Sequence, residues 1–186
     1  FYQLLSGASH STIKKLYLER NPKKYNILNI TECFNRNDGI SDVSEFSITK
    51  KAMIDMGINE QFIENIFMII SSLLLINNYE KNESLNDDFW VNPSKLLGIN
   101  SQLLKSVCTT RRIKTPSESY IIELNENEIV ESIKSLSRAI YDKLFDWLVE
   151  KINCKINNKS NNFIGILDIF GFEVFDYNSF EQLCIN

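Results

Sequence analysis

The chain has 186 residues, which is one ordinary domain or a domain plus part of another. At 44% apolar and 24% charged it has a globular composition, which excludes fibrous and broadly disordered classes, and its formal net charge of -4 argues against a nucleic-acid binder. A single histidine excludes a histidine-rich metal site, while scattered cysteines (Cys33, Cys108, Cys154, Cys184) with no C-x-x-C pair read as reduced, packed thiols of an intracellular protein.

The opening Phe-Tyr-Gln-Leu-Leu reads as the tail of a helix and carries no basic leader. Ile13, Leu16 and Tyr17 give residues 11–19 the spacing of a short amphipathic helix. Asn21-Pro22 stops it, because a residue before proline is pushed out of helical backbone. Residues 35–42 are polar and read as a loop. Residues 44–56 predict a second helix, with Phe46, Ile48, Ala52, Met53 and Met56 on its apolar side and Gly57 as its C′ residue. Asn59 caps a third helix, with Glu60 in the first turn where the dipole favours an anion. Apolar residues from Phe62 to Leu74 cover most of its circumference, so it is buried on several sides. Its uncharged run, 66–76, falls well short of the roughly 20 residues that a membrane span needs.

Residues 77–88 form a polar stretch. Asn92-Pro93 is a cap followed by an N1 proline, opening a short helix that ends near Gly98, and Asn100 caps the next one. Residues 112–124 predict an irregular hairpin, with short runs at 112–114 and 120–123 on either side of Pro116 and Ser117. Asn125 with Glu128 three positions on is a capping-box start. A long helix follows to about 156, with Ile129, Ile133, Leu136, Ile140, Leu144 and Leu148 at steps of three and four. The run at 163–168 does not alternate and predicts a strand buried on both faces. Asn178 and Glu181 open a last helix.

Chemistry concentrates in I-G-I-L-D-I-F-G-F-E, residues 164–173. A carboxylate at a strand's end, Asp168, can hold the water shell of a nucleotide-bound Mg²⁺. Gly171, in D-x-x-G spacing, can bring its N–H to a terminal phosphate because no Cβ blocks the approach. Glu173 can pair with a basic group and close the site over water. The spacing alone leaves a second reading open, since many strands end in Asp as a turn residue. Arg111, Arg112 and Lys114 form a basic cluster, either a solvated face or the rim of an interface. No G-x-x-x-x-G-K-[ST] occurs, so this chain by itself is not expected to bind or hydrolyse ATP.

L-D-I-F-G-F-E at 167–173 followed by F-E-Q-L-C-I-N at 180–186 resembles switch II and the start of the relay helix in myosin motors. F-Y-Q-L-L-S-G-A-S at 1–9, F-x-x-T-K-K-A-M at 46–53, L-L-G-I at 96–99, T-T-R at 109–111 and A-I-Y-D-K-L-F-D-W-L-V-E-K-I-N at 139–153 continue the resemblance in family order. It implies a mainly α fold with a small β component, part of the myosin-type P-loop NTPase motor. Residues 1–162 would belong to the mostly helical upper subdomain, and 163–186 to a central-sheet strand, switch II and the relay-helix start.

Residue by residue, the resemblance makes Asp168 the carboxylate that holds Mg²⁺ through water. Gly171 senses the γ-phosphate, Glu173 forms a gate ion pair and helps position the attacking water, and Phe172 packs behind a switch that also contains Ile169 and Phe170. The hairpin falls where myosins carry an actin-contacting loop, which places Arg111, Arg112, Lys114 and Glu118 at an actin interface. Glu118 matches a family position that is acidic or phosphorylatable; being acidic already, it implies actin engagement without phosphorylation. The implied cofactors are ATP and Mg²⁺. The implied partners are the actin filament, the rest of the heavy chain, and light chains or calmodulin downstream, in the cytoplasm and cytoskeleton, with no nucleic acid and no membrane span. The intact protein would be an actin-activated ATPase, and this chain alone, without P-loop and switch I, would be inactive. The alternatives are another P-loop NTPase with a D-x-x-G switch, or a helical interaction module with no nucleotide role.

Overall fold

Helix α4 (Glu60–Ile76) is apolar on nearly every side, and three separate groups of buried side chains form around it. The computed structural model describes residues 1–29, 34, 38–79, 87–114, 118–156, 162, 164–166, 176 and 179–185. The chain divides into two compact units, Phe1–Ile156 and Asn157–Asn186. In the first, α1 (Tyr2–Gly7), α2 (His10–Lys15), a 3-10 turn (Pro22–Lys24), α3 (Asp42–Asp55) and α4 precede α5 (Asp88–Leu97) and α6 (Ser101–Thr109). A two-stranded antiparallel hairpin, β1 (Thr110–Lys114) and β2 (Ser119–Glu123), then leads into the long helix α7 (Glu126–Ile156). The second unit contains α8 (Phe180–Ile185). No described helix is long and apolar enough to cross a membrane.

Leu74 packs with Leu4, Leu5, Leu16 and Tyr25. Leu73 and Ile76 pack with Trp90, Leu104, Cys108, Ile129 and Ile133. Ile63 and Ile66 pack with Ile58 and Leu144. Two serines lie fully buried in α4, and each hydroxyl donates to a carbonyl of the preceding turn: Ser71 to Phe67 at 2.6 Å and Ser72 to Ile69 at 2.7 Å. Neither hydroxyl is therefore a bare buried donor.

Asn59 caps α4 as expected, its side chain accepting from the Phe62 N–H at 2.9 Å. Three helices end in a Schellman arrangement, in which a left-handed C′ residue lets the next N–H reach back five residues. In α3 the C′ residue is Gly57 (φ 83°), with Ile58 N–H on Met53 O at 2.9 Å. In α5 it is Gly98 (φ 68°), with Ile99 N–H on Ser94 O at 3.0 Å.

The third case corrects the expected helix over 11–19. α2 stops at Lys15 because Tyr17 itself takes the left-handed conformation (φ 56°), and Leu18 N–H reaches Ile13 O at 3.0 Å. A tyrosine there costs roughly 1–2 kcal/mol of backbone strain. Burial of Leu16 and Leu18 on either side of Tyr17 offsets it. Arg20 then folds back over the end of α1, donating to Leu5 O at 3.0 Å, Ser6 O at 2.9 Å and Ala8 O at 2.6 Å.

Other expectations are also revised. α5 begins at Asp88, not at an Asn92 cap, and Pro93 lies inside it. An interior proline costs about 3 kcal/mol. Starting the helix earlier places Trp90 at 0% exposure, and burying an indole contributes about 4–6 kcal/mol at 25 cal per Å², less about 1–3 kcal/mol for its buried N–H, which has no hydrogen-bond partner among the described residues. On the expected apolar side of α3, Phe46 and Met53 pack inward, but Ile48 is 58% exposed. Cys108 is a packed thiol, whereas Cys154 and Cys184 are exposed. Residues 164–166, expected within a buried strand, carry no strand pairing, and Ile164 and Ile166 are exposed. A strand buried on both faces exists only between sheet neighbours, and the described residues supply none there.

Candidate functional site

The hairpin presents charge and aromatic surface together, and two helix ends hold its base. Asn100 caps α6, accepting from Gln102 N–H at 2.8 Å and Leu103 N–H at 3.2 Å. At the other end, Thr109 Oγ1 donates to Lys105 O at 2.8 Å and Thr110 Oγ1 to Ser106 O at 2.7 Å. Each hydroxyl adds a donor to a carbonyl of the last turn of α6, and Ser106 O also accepts the Thr110 N–H. Leu124 N–H closes the hairpin on Thr109 O at 2.9 Å. Immediately after it, the expected capping box forms: Asn125 N–H donates to the Glu128 carboxylate at 2.8 Å, and Glu128 N–H to Asn125 Oδ1 at 3.1 Å.

Below this base, Leu104 and Cys108 of α6 meet Ile129 and Ile133 of α7. Burial pushes the Cys108 thiol up to about 12, so it fills space and is no nucleophile. Nearby, Lys105 donates to Asp87 at 2.8 Å, and that hydrogen bond holds the Asp87 carboxyl below its ordinary range.

The register pairs Thr110 with Glu123, Arg111 with Ile122, Arg112 with Ile121, Ile113 with Tyr120 and Lys114 with Ser119. Residues opposite one another share a face, and faces alternate along a strand. One face therefore carries Arg111, Ile113, Tyr120 and Ile122. The other carries Thr110, Arg112, Lys114, Ser119, Ile121 and Glu123. The expected basic cluster of Arg111, Arg112 and Lys114 is thus divided between two faces. Almost every hairpin residue is exposed, so neither face is packed away. Glu118 is also exposed, just before β2. Nothing in the sequence alone marks Tyr120 and Ile122; their signal is alternation read against the register.

Asp168, Ile169, Phe170, Gly171, Phe172 and Glu173 lie outside the described residues. Among the described residues no group of three or more His, Cys, Asp or Glu side chains could hold a metal ion. A groove of about 640 Å³, which no motif in the sequence marks, lies between α4 and α7; its walls include Phe62, Ile66, Ile140 and Trp147, with Asn65 and Lys143 as polar members. Phe62 and Trp147 face each other with ring centroids 5.6 Å apart. Lys143 is the ionisable side chain on these mostly apolar walls, and it pairs with Asp146 at 3.2 Å.

The whole chain, residues 1–186, matches the family model described as myosin head (motor domain). It is 38% identical over 200 residues to Myosin-52 of Schizosaccharomyces pombe, with 100% of this chain and 13% of that protein covered. It is 42% identical over 202 residues to Myosin-J heavy chain of Dictyostelium discoideum, covering 100% and 9%. Against unconventional myosin-Ic of Bos taurus it is 34% identical over 201 residues, covering 100% and 19%. The chain therefore spans less than a fifth of the length of these curated relatives.

Proposed function

The chain belongs to the myosin motor-domain family, and from that premise we propose that the full-length protein is an actin-activated, Mg-dependent ATPase that moves along actin filaments. The observation that carries this reading is the family match over every residue from 1 to 186, which includes the D-x-x-G string. Residues 1–162 serve as the mostly helical upper subdomain, and 163–186 supply switch II, the start of the relay helix and a segment that becomes a sheet strand once the rest of the heavy chain provides its neighbours. The rest of the heavy chain completes the nucleotide site, and light chains or calmodulin bind downstream. The protein works in the cytoplasm as part of the cytoskeleton.

The donor chemistry of switch II fits ATP and Mg²⁺. Asp168 offers a carboxylate to the cation's water shell, Gly171 a backbone N–H to a phosphate oxygen, and Glu173 a carboxylate that orders the attacking water. Phosphoryl transfer needs mainly positioning and charge stabilisation, and bound Mg²⁺ supplies neutralisation of the phosphate oxygens. Contacts to the terminal phosphate exist before hydrolysis and weaken after it, so the segment has two states to report. Replacing Gly171 with Ala in the full-length motor should abolish hydrolysis while folding persists; unchanged hydrolysis would refute the assignment. The isolated chain should show negligible nucleotide affinity, and micromolar ATP binding by calorimetry would contradict that.

The hairpin serves as an actin-facing element, with Arg111, Arg112, Lys114 and Glu118 as its charged residues. Glu118 supplies a fixed negative charge, so actin engagement needs no phosphorylation there. Glu118→Ala in the full motor should lower actin-activated turnover, and an unchanged rate would remove the role.

A further inference from the structure

We infer that the hairpin meets the actin filament with the face formed by Arg111, Ile113, Tyr120 and Ile122, and turns Arg112, Lys114 and Glu123 towards solvent. This rests on the reading of the hairpin as actin-facing and decides which of its residues make the contact. The register divides the residues without ambiguity, because Arg111 pairs with Ile122 and Ile113 with Tyr120. Both faces are open: Ile113 is 39% exposed, Ile122 47%, Tyr120 51% and, on the opposite side, Ile121 65%. Exposure therefore does not choose between them, and composition does.

The centre of a protein interface is depleted of Lys and Glu and enriched in Tyr and Arg. The Arg111 face has that make-up, with two isoleucines, one tyrosine, one arginine and no carboxylate. The opposite face also has an arginine, Arg112, but adds Lys114 and Glu123 and sets its one isoleucine between polar residues, which is the make-up of a solvated face or an interface rim. The residues that carry most binding energy are usually aromatic or arginine anchors that become desolvated. Tyr120 and Arg111 are the candidates. The matching patch on actin is apolar, with an acidic group opposite Arg111, since the only charge this face offers is positive. Arg112 and Lys114 then act at longer range, attracting the filament without being buried against it.

The test uses the full-length motor, nucleotide-free, in sedimentation with filamentous actin. Tyr120→Thr and Ile122→Thr remove apolar surface from the inferred face, and Ile121→Thr removes it from the other. Threonine keeps the strand preference in all three, so the hairpin is retained. The inference expects Tyr120→Thr to weaken actin binding by about tenfold or more, and Ile121→Thr by less than about twofold. Arg111→Ser should lower affinity at every salt concentration, while Arg112→Ser should matter mainly at low salt. An equal or larger loss from Ile121→Thr overturns the choice of face and leaves the hairpin as an actin contact. If none of these variants changes binding, the actin-facing reading falls and this inference falls with it.

Discussion

Gly7 sets the distance between α1 and α3, and replacing it with alanine pits two effects against each other. Alanine is the better helix former by about 1 kcal/mol. Gly7 has ordinary helical backbone, so no positive φ demands glycine there. Space is the opposing effect. A Cβ at position 7 would collide with the Cβ of Phe46, and would lie 2.7 Å from its Cγ and 3.0 Å from its Cδ1. Rotation of the phenylalanine ring cannot relieve a contact with its Cβ, so α1 and α3 must part. Parting them strains the Gln3–Thr49 hydrogen bond at 2.9 Å and the Phe46–Phe67 ring pair at 5.4 Å. Overpacking of this kind costs about 1–3 kcal/mol. A collision with a Cβ takes the upper part of that range, about 2–3 kcal/mol, so after the helix gain of about 1 kcal/mol Gly7→Ala should destabilise the protein by about 1–2 kcal/mol, or roughly 3–6 °C in Tm for a chain of this size. Urea unfolding followed by circular dichroism reads this directly. A double-mutant cycle with Phe46→Gly should remove most of the cost of Gly7→Ala, because the colliding carbon is gone. A Gly7→Ala protein as stable as the parent would show that the helices do not approach as closely as argued.

Three further outcomes follow from the same structure. Arg20→Ala should cost about 2 kcal/mol in urea unfolding, because three carbonyls at the end of α1 lose a charged donor, and Arg20→Lys should recover less than half, since an ammonium cannot reproduce the guanidinium fork. Cys108 has its thiol raised by burial from 9.0 to about 12, so the stability it supports is intact below pH 9 and is lost as pH climbs towards 12, where the unfolded thiol ionises first. Cys108→Ala should flatten that part of the stability–pH curve, and peptide mapping after alkylation should find Cys154 and Cys184 modified in the native protein but Cys108 only after unfolding. Asn125→Ala removes one half of the capping box at the base of the hairpin and should cost about 1 kcal/mol, measured as a lower midpoint with unchanged m-value.

Long periodic elements were legible from sequence because their signals are local and redundant. The cap at Asn59, the C′ glycine at Gly57 and the Asn125–Glu128 box each form as expected. The shorter elements failed where tertiary burial overrode a local rule. Asn92-Pro93 has the pattern of a helix start, yet the burial of Trp90 carries α5 back to Asp88. Tyr17 continues an apolar helical pattern, yet it takes the left-handed backbone that ends α2, because Leu18 must turn inward. The non-alternating run at 163–168 predicts a buried strand from hydrophobicity, but pairing is a property of neighbours, and the described part of that run has none.

The hairpin shows the same limit at the level of function. Arg111, Arg112 and Lys114 are close in sequence and look like one basic patch. In an extended strand successive side chains point to opposite sides, so proximity along the chain separates charges that a helix would have spread around one end. Which residues act together is decided by the partner strand, through pairs such as Arg111 with Ile122 and Ile113 with Tyr120. A slip of one residue would place Arg112 and Lys114 opposite different partners and exchange the composition of the faces. The closures at Thr109–Leu124 and Asn125–Glu128 oppose that slip, because both fix the strand ends to capped helices that are themselves anchored in a buried cluster. Which residues share a face is therefore a consequence of the core beneath it, and substitutions at Cys108 or Ile133 that loosen that core should blur the distinction between Tyr120 and Ile121.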